Sequence, residues 1–600
     1  MPEITTVAWN LGDLFASIDD PRIEQSLDNS LARAKAFAGR YRDKIDSPDL
    51  TSKTLLEAIG EYEALIQELV KPASFAGLTF AADTSRPEHG ALMQHVLERQ
   101  TEISLELMFF ELEMMAAAPE VIDKLIDEEI LARYRHFVIA SRLFREHRLS
   151  EPEEKILEEK ANTGGRAFDR LFEETLSAVE FRVIVDGEEK TMTEPEVLAL
   201  LRDPRREVRK AAAEGLTRGL VENSRLFTFI FNTLVYDKSV DDRLRRYEYP
   251  EQARNLANEL DPETVETVMK TCYDNYSLVA RYYRVKREIL GYDKLMHYDR
   301  YAPLFEAKEQ YSWDQAREIV LTSFGRFSNA MADVAGKFFD NGWIDAAPRK
   351  GKRGGAFCSY TTTDLHPYVL MTYLNKVDDI MTLGHELGHG AHAYLARPRG
   401  YLNFSSVLPI AELASTFGEM LVFASISSKL SLDDKLALYA EKIESIFATV
   451  FRQAAMYGFE QELHRARREQ GELTSEQIGD IWQRCLRAMF QDSIELGDDH
   501  RHWWSYVSHF VGTPFYVYAY SFGELLVMAL YSMYRREGEP FVPKFIEMLS
   551  TGGSCSPQEL LGKVGIDIRS PEFWQGGVDV IGQLVGDFEK LYAEWKAKSS

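Results

Sequence analysis

Apolar residues recur at intervals of three and four over most of this chain, the spacing of an amphipathic helix. The pattern predicts helices over Leu50–Val70, His89–Ala117, Pro119–His147, Glu151–Glu180, Glu194–Val221 and Pro262–Leu290. No fixed internal period emerges, so a solenoid is not indicated. Two places switch to strand spacing. Asp186-Gly187 stands between Phe181 to Val185 and the polar run Glu188 to Thr191, which reads as a small hairpin. It also marks a domain boundary near residue 195. Farther on, the glycine-rich run Gly351 to Tyr360 leads into a strand, with Pro367 to Tyr373 as its partner.

One helical stretch carries chemistry. Ile380, Leu383, Leu387 and Ala391 form an apolar stripe, Asp378 or Asp379 can cap its start, and Arg397-Pro398-Arg399-Gly400 ends it. Within it stands His385-Glu386-Leu387-Gly388-His389. Histidines four apart project from one face, where both imidazoles can share one zinc ion. Glu386 is then placed to take a proton from a water that the ion activates. The chemistry this spacing serves is metal-assisted hydrolysis of an amide.

A catalytic zinc needs a third protein ligand. His392 follows three residues after His389, too close along one helix to join both histidines at a tetrahedral ion, so it reads as packing or as support for a ligand. Leu395 stands where a metzincin has its third histidine, which excludes that pattern. Downstream, Pro409 to Glu419 opens another helix, and Glu412 and Glu419, seven apart, share a face. Either carboxylate could reach the zinc or a histidine. Both stand on an otherwise apolar helix, where unpaired carboxylates are costly.

Bulk properties narrow the partners. A net charge of −25 argues against nucleic acid and against anionic membrane surfaces. Cys272, Cys358, Cys485 and Cys555 are dispersed and form no CxxC pair, which fits a reducing cytoplasm and indicates neither disulfides nor a cysteine zinc site. Met1 to Ala8 lacks a signal-peptide pattern. Pro514 to Tyr534 has a single charge, Glu524, and is rich in Tyr and Ser, which predicts a buried helix rather than a membrane span. The run Gly351 to Tyr360 is not a Walker loop; Gly354, Gly355, Ala356 and Phe357 read as a plain turn or as a place where an extended peptide adds a strand.

HELGHGAH at 385–392 followed by ELASTFGE at 412–419 resembles the M3 metallopeptidases, and within them the oligoendopeptidase F type. The resemblance covers residues 200–590 well and the N-terminal helices more loosely. It implies a mainly α fold: a two-lobed helical shell around a deep substrate channel, with a small β-sheet next to the zinc-binding helix. It implies an N-terminal helical domain, 1–195, and a zincin-like peptidase domain, 196–600. His385, His389 and Glu412 become the ligands of one Zn2+, Glu386 the general base, and Glu419 a supporting carboxylate. GKRGGAFCSY at 351–360 is similar to the family's substrate strand. HFVGTPFYVYAY at 509–520 is similar to the segment that binds the carbonyl oxygen in the transition state. There His509, Tyr516 and Tyr520 are the candidates, because Tyr516 and Tyr520 share a helical face and Tyr518 points away; Pro514 breaks any helix running back to His509. The implied activity is internal cleavage of short unstructured peptides. The alternatives are a peptidyl-dipeptidase or other exopeptidase of the same zinc class, and a catalytically silent peptide-binding protein. The oligomeric state stays open.

Overall fold

The computed structural model describes residues 3–599, and helices dominate it. Local signals explain many helix starts: Thr51, Asp261 and Ser312 each accept a backbone N–H of the first turn. Several expected helices are in fact pairs. The stretch 151–180 breaks at Asn162-Thr163-Gly164, giving Glu151–Ala161 and Gly165–Ala178. The stretch 194–221 breaks before Arg206, just after Pro204, and 262–290 breaks at Asn275-Tyr276. The stretch 119–147 becomes two short helices and two 3-10 turns. Apolar periodicity survives such breaks because both halves bury the same side, so the pattern by itself merges them. Conversely, the helix expected to end at Val70 runs on as Ser52–Ala82, with Pro72 buried inside it.

The chain divides by packing into two compact units, each assembled from three stretches. One comprises Met1–Arg145, Lys308–Leu430 and Leu530–Asp567; the other comprises Glu146–Ala307, Ser431–Ala529 and Ile568–Ser600. Residue 195 therefore falls inside the second unit, and packing does not follow the 1–195 and 196–600 division.

The hairpin signal in the second unit corresponds to β1 (Phe181–Val185) and β2 (Glu188–Met192), antiparallel. Asp186 and Gly187 both take positive φ, 55° and 83°, as a two-residue turn requires. In the first unit β3 (Ile344–Asp345), β4 (Phe357–Ser359) and β5 (Tyr368–Leu370) form a three-stranded sheet in the order β3-β5-β4. β5 is central and wholly buried, parallel to β3 and antiparallel to β4 in the register Phe357↔Leu370 to Ser359↔Tyr368. β4 is therefore an edge strand, half-buried, with one side of its backbone unpaired within the sheet.

The helical stretch Leu408–Ser427, broken at Glu412, is apolar and long enough to cross a membrane, but 78% of its most apolar window is buried, as in a protein core. The stretch from Pro514 forms the helix Tyr518–Glu537, whose Phe522 and Leu525 to Leu530 are buried.

Candidate active site

The His-Glu-x-x-His motif lies on α1 (Val377–Ala396). The cap residue is Lys376, not an aspartate as expected; Asp379, three residues on, accepts the backbone N–H of Leu374 (2.6 Å) and of Lys376 (2.9 Å). A one-turn helix, Leu408–Ala411, leads to Glu412, where the backbone leaves helical geometry before α2 (Leu413–Ser427) begins. The helix expected from 409 is thus interrupted at the residue with ligand chemistry. The interruption aims the Glu412 carboxylate at α1.

Glycines allow the approach. A Cβ on Gly388 would collide with the Ala414 carbonyl oxygen and lie 2.6 Å from Ser415 Cα; one on Gly384 would lie 2.8 Å from Val422; one on Gly418 would lie 2.9 Å from the Gly384 carbonyl oxygen. With three glycines at the crossing, α1 and α2 touch backbone to backbone. Side chains as short as glutamate then span the gap.

The result is one compact donor group. Glu412 Oε2 stands 3.3 Å from His385 Nε2 and 3.3 Å from His389 Nε2. One candidate ligand atom from each of these residues falls within 4.8 Å of the others. Hydrogen bonds between charged partners run shorter than this, about 2.7–2.9 Å. Two ligands of a tetrahedral zinc, each about 2.0–2.2 Å from the ion, stand about 3.3 Å apart. The donor types and spacing therefore fit a tetrahedral divalent ion better than a chain of hydrogen bonds. On the far side of the first ring, His385 Nδ1 lies 3.4 Å from Glu419 Oε2, which fixes Nε2 as the nitrogen that faces Glu412. Ser415 Oγ donates to Glu412 Oε2 at 2.7 Å and steadies it.

Glu386 is 6% exposed, and its Oε2 is buried with no hydrogen-bond partner. Burial pushes its carboxyl up, against the pull of His385 and His389. Glu412 goes the other way. Burial would raise it, but His385 and His389, each 3.3 Å from its Oε2, hold it well below the carboxylate range. Its side chain is 41% exposed, so solvent screens part of this effect and the direction is what counts. His392 is outside the group: it is 1% exposed, its Nε2 is 3.5 Å from Ser406 Oγ, and burial drops it to about 4.

β4 packs on α1, and Tyr360, just after it, has its ring 6.4 Å from that of His389. Burial, with Cys358, Glu412 and Glu386 nearby, pushes the Tyr360 phenol up, so it stays a donor. Gly354 and Gly355 are exposed, with open space where a Cβ would be, and Ala356 and Phe357 are half-buried. The loop before them is pinned. Lys352 Nζ donates to Asp345 Oδ1 (2.7 Å) and to the carbonyl oxygens of Asp345, Ala347 and Met371; Gly351 O accepts from Thr84 N at 2.7 Å; Arg353 N donates to Ala81 O at 2.9 Å.

A second group belongs to the second unit. His509 lies in the one-turn helix His509–Gly512, and Tyr516 precedes the helix Tyr518–Glu537. Tyr516 and Tyr520 therefore do not share a helix, yet their rings are 5.2 Å apart. His509 Nε2 is 3.3 Å from the Tyr520 hydroxyl, and the His509 and Tyr516 rings are 5.8 Å apart. Burial holds His509 below the usual histidine value, so it is neutral at pH 7. Tyr518 is buried elsewhere, its hydroxyl accepting from Asn258 Nδ2 at 2.9 Å. Tyr360, Ser415 and the glycines of the crossing have no part in the sequence expectation. Gly384-x-x-x-Gly388 was the available signal, a small-residue face on the metal helix.

The sequence profile of Peptidase family M3 matches residues 199–579, and that of Oligopeptidase F matches 113–181. Oligopeptidase PepF of Bacillus subtilis (strain 168) is 27% identical over 602 residues, covering 98% of this chain and 88% of its own. Group B oligopeptidase PepB of Streptococcus agalactiae is 25% identical over 603 residues, covering 98% and 97%. A solved structure from Chlamydophila abortus shares the fold with a TM-score of 0.88 at 22% identity, over 97% of this chain and 98% of that one. The oligoendopeptidase-F structure from Enterococcus faecium aligns with a TM-score of 0.72 at 20% identity, over 96% and 100%.

Proposed function

The chain belongs to peptidase family M3, and on that premise we propose that it is a zinc-dependent endopeptidase cutting internal bonds of short unstructured peptides. Membership makes it a metallopeptidase. The observation that carries the finer reading is the donor group: two histidine nitrogens each 3.3 Å from one glutamate oxygen, beside a buried carboxyl with an orphaned oxygen. His385, His389 and Glu412 would hold the ion, and Glu419 would orient His385. When bound, zinc supplies Lewis acidity toward the scissile carbonyl and the attacking water.

The remaining steps belong to the chain. Glu386 Oε2 takes the proton of the attacking water and returns it to the leaving amine. Its burial favours the first step, because a carboxylate pushed up by burial accepts a proton more readily. The open edge of β4, with bare glycines before it, supports pairing with an extended peptide backbone. His509, Tyr516 and Tyr520 are proposed to donate to the developing oxyanion, Tyr520 through a hydroxyl in reach of His509. The two profile matches, at 113–181 and 199–579, support 1–195 and 196–600 as the functional division.

Hydrolysis of an internally quenched short peptide, blocked at both ends, tests the reading. Internal cleavage should vanish with chelator and return with zinc. Cleavage confined to peptides with a free terminus would make the enzyme an exopeptidase. No cleavage with zinc bound would leave a silent binder.

A further inference from the structure

Glu460 lies on α3 (Phe451–Gln470), is 1% exposed, and carries a carboxyl that the steps above do not use. Its Oε1 accepts the backbone N–H of Phe515 at 2.7 Å, and its Oε2 has no hydrogen-bond partner. Phe515 has φ +60°, in the left-handed region that a residue with a Cβ rarely adopts. Its ring is fully buried, 4.7 Å from the His464 ring and 6.2 Å from that of Tyr457. Strained backbone persists only where its surroundings over-determine it. Here they consist of a buried ring and a buried acceptor.

The place of the strain gives it meaning. Thr513 N donates to His509 O at 3.0 Å, Tyr516 N to Thr513 O at 3.1 Å, and Ala519 N to Tyr516 O at 3.0 Å. Three turns thus follow one another, and Phe515, third residue of the middle turn Thr513–Tyr516, is the left-handed joint of the run. Its backbone angle decides where the chain leaving His509 delivers Tyr516 and Tyr520. We infer that Glu460 is a positioning residue for the peptidase reaction: through the Phe515 amide it locks the left-handed joint that gathers His509, Tyr516 and Tyr520. This rests on the proposed role of those three groups at the carbonyl oxygen. Burial pushes the Glu460 carboxyl up to about 8, so at neutral pH it is largely the uncharged acid, which glutamine copies.

The experiment uses the zinc-loaded full chain and the blocked quenched peptide, with kcat, KM and Tm measured for each variant. E460L removes the acceptor at similar volume; E460D keeps the acid and withdraws it, and serves where E460L fails to fold. Both should lower kcat by about 10- to 100-fold with KM changed little, the signature of a misplaced group and not of lost substrate binding. E460Q should restore kcat to near that of the wild type. Y520F should lower kcat as well, and E460L/Y520F should be hardly worse than Y520F alone, because both act on one feature. A folded E460L or E460D with wild-type kcat beside an impaired Y520F overturns the inference, as does an E460L/Y520F loss equal to the product of the singles. An unimpaired Y520F overturns the reading of the cluster itself, and the inference with it.

Discussion

Glu386 and Glu412 present the same functional group in opposite settings. Burial pushes one carboxyl up, while two histidines hold the other far down. One residue type is thus pushed toward the neutral acid at one position and held as an anion at the other by environment alone. E386Q should keep its metal and lose about 100- to 10,000-fold in kcat; metal analysis by mass spectrometry beside the peptide assay checks both, and turnover near wild type would remove Glu386 from the chemistry. E412A should lose metal, and full occupancy in that variant would remove Glu412 from the ligand set. Glu460 yields a prediction in pH. Its folded value, about 8, lies above the ordinary 4.5, so the stability it contributes is present below the unfolded value and is lost as pH rises toward 8. E460Q cannot ionise. Its Tm relative to wild type should therefore climb between about pH 5 and pH 8, and a difference that stays flat by calorimetry contradicts the assignment. Residues at this scale were legible only where a local pattern marked them. His385, Glu386 and His389 announce themselves by spacing. Tyr360 and Glu460 have no such pattern, because His389 and Phe515, which they meet, come from distant parts of the chain.

The crossing of α1 and α2 shows what an element contributes. Helical periodicity predicts both, but the depth of their approach depends on Gly384, Gly388 and Gly418. G388A puts a methyl against backbone atoms, which cannot rotate away, so the helices must separate. The expected cost is about 1–3 kcal/mol, as for other overpacked sites. Calorimetry should show a lowered Tm, and metal titration should show weaker affinity, since Glu412 recedes from both histidines. An unchanged affinity would mean that α2 can shift without moving Glu412. The helix breaks at Gly164, Pro204 and Asn275 carry the same lesson in reverse. Breakers are visible in the sequence, yet the apolar stripe on both sides argues for continuity. Only the packed neighbours decide that each half takes its own axis.

At the scale of the whole chain, sequence order and packing order part. Each compact unit draws on three separate stretches, and the proposed metal ligands all lie in one of them. An ion bound there should stabilise the fold by mass action, about 4 kcal/mol when free metal exceeds Kd a thousandfold. Chelator should accordingly lower the Tm, and zinc should restore it. Identical melting with and without chelator would show that the donor group holds no ion that matters to folding. The sequence by itself determined the helical class, the hairpin at Asp186-Gly187, the strand pair before the motif, and the histidine pair with its glutamates. All of these are written in spacing over a few turns, where local geometry follows from local sequence. Tertiary structure decided which oxygen meets which nitrogen, the burial that splits the carboxyls, the left-handed joint at Phe515, and a division into units that ignores chain order. Those depend on contacts between residues tens to hundreds of positions apart, and no local periodicity encodes them.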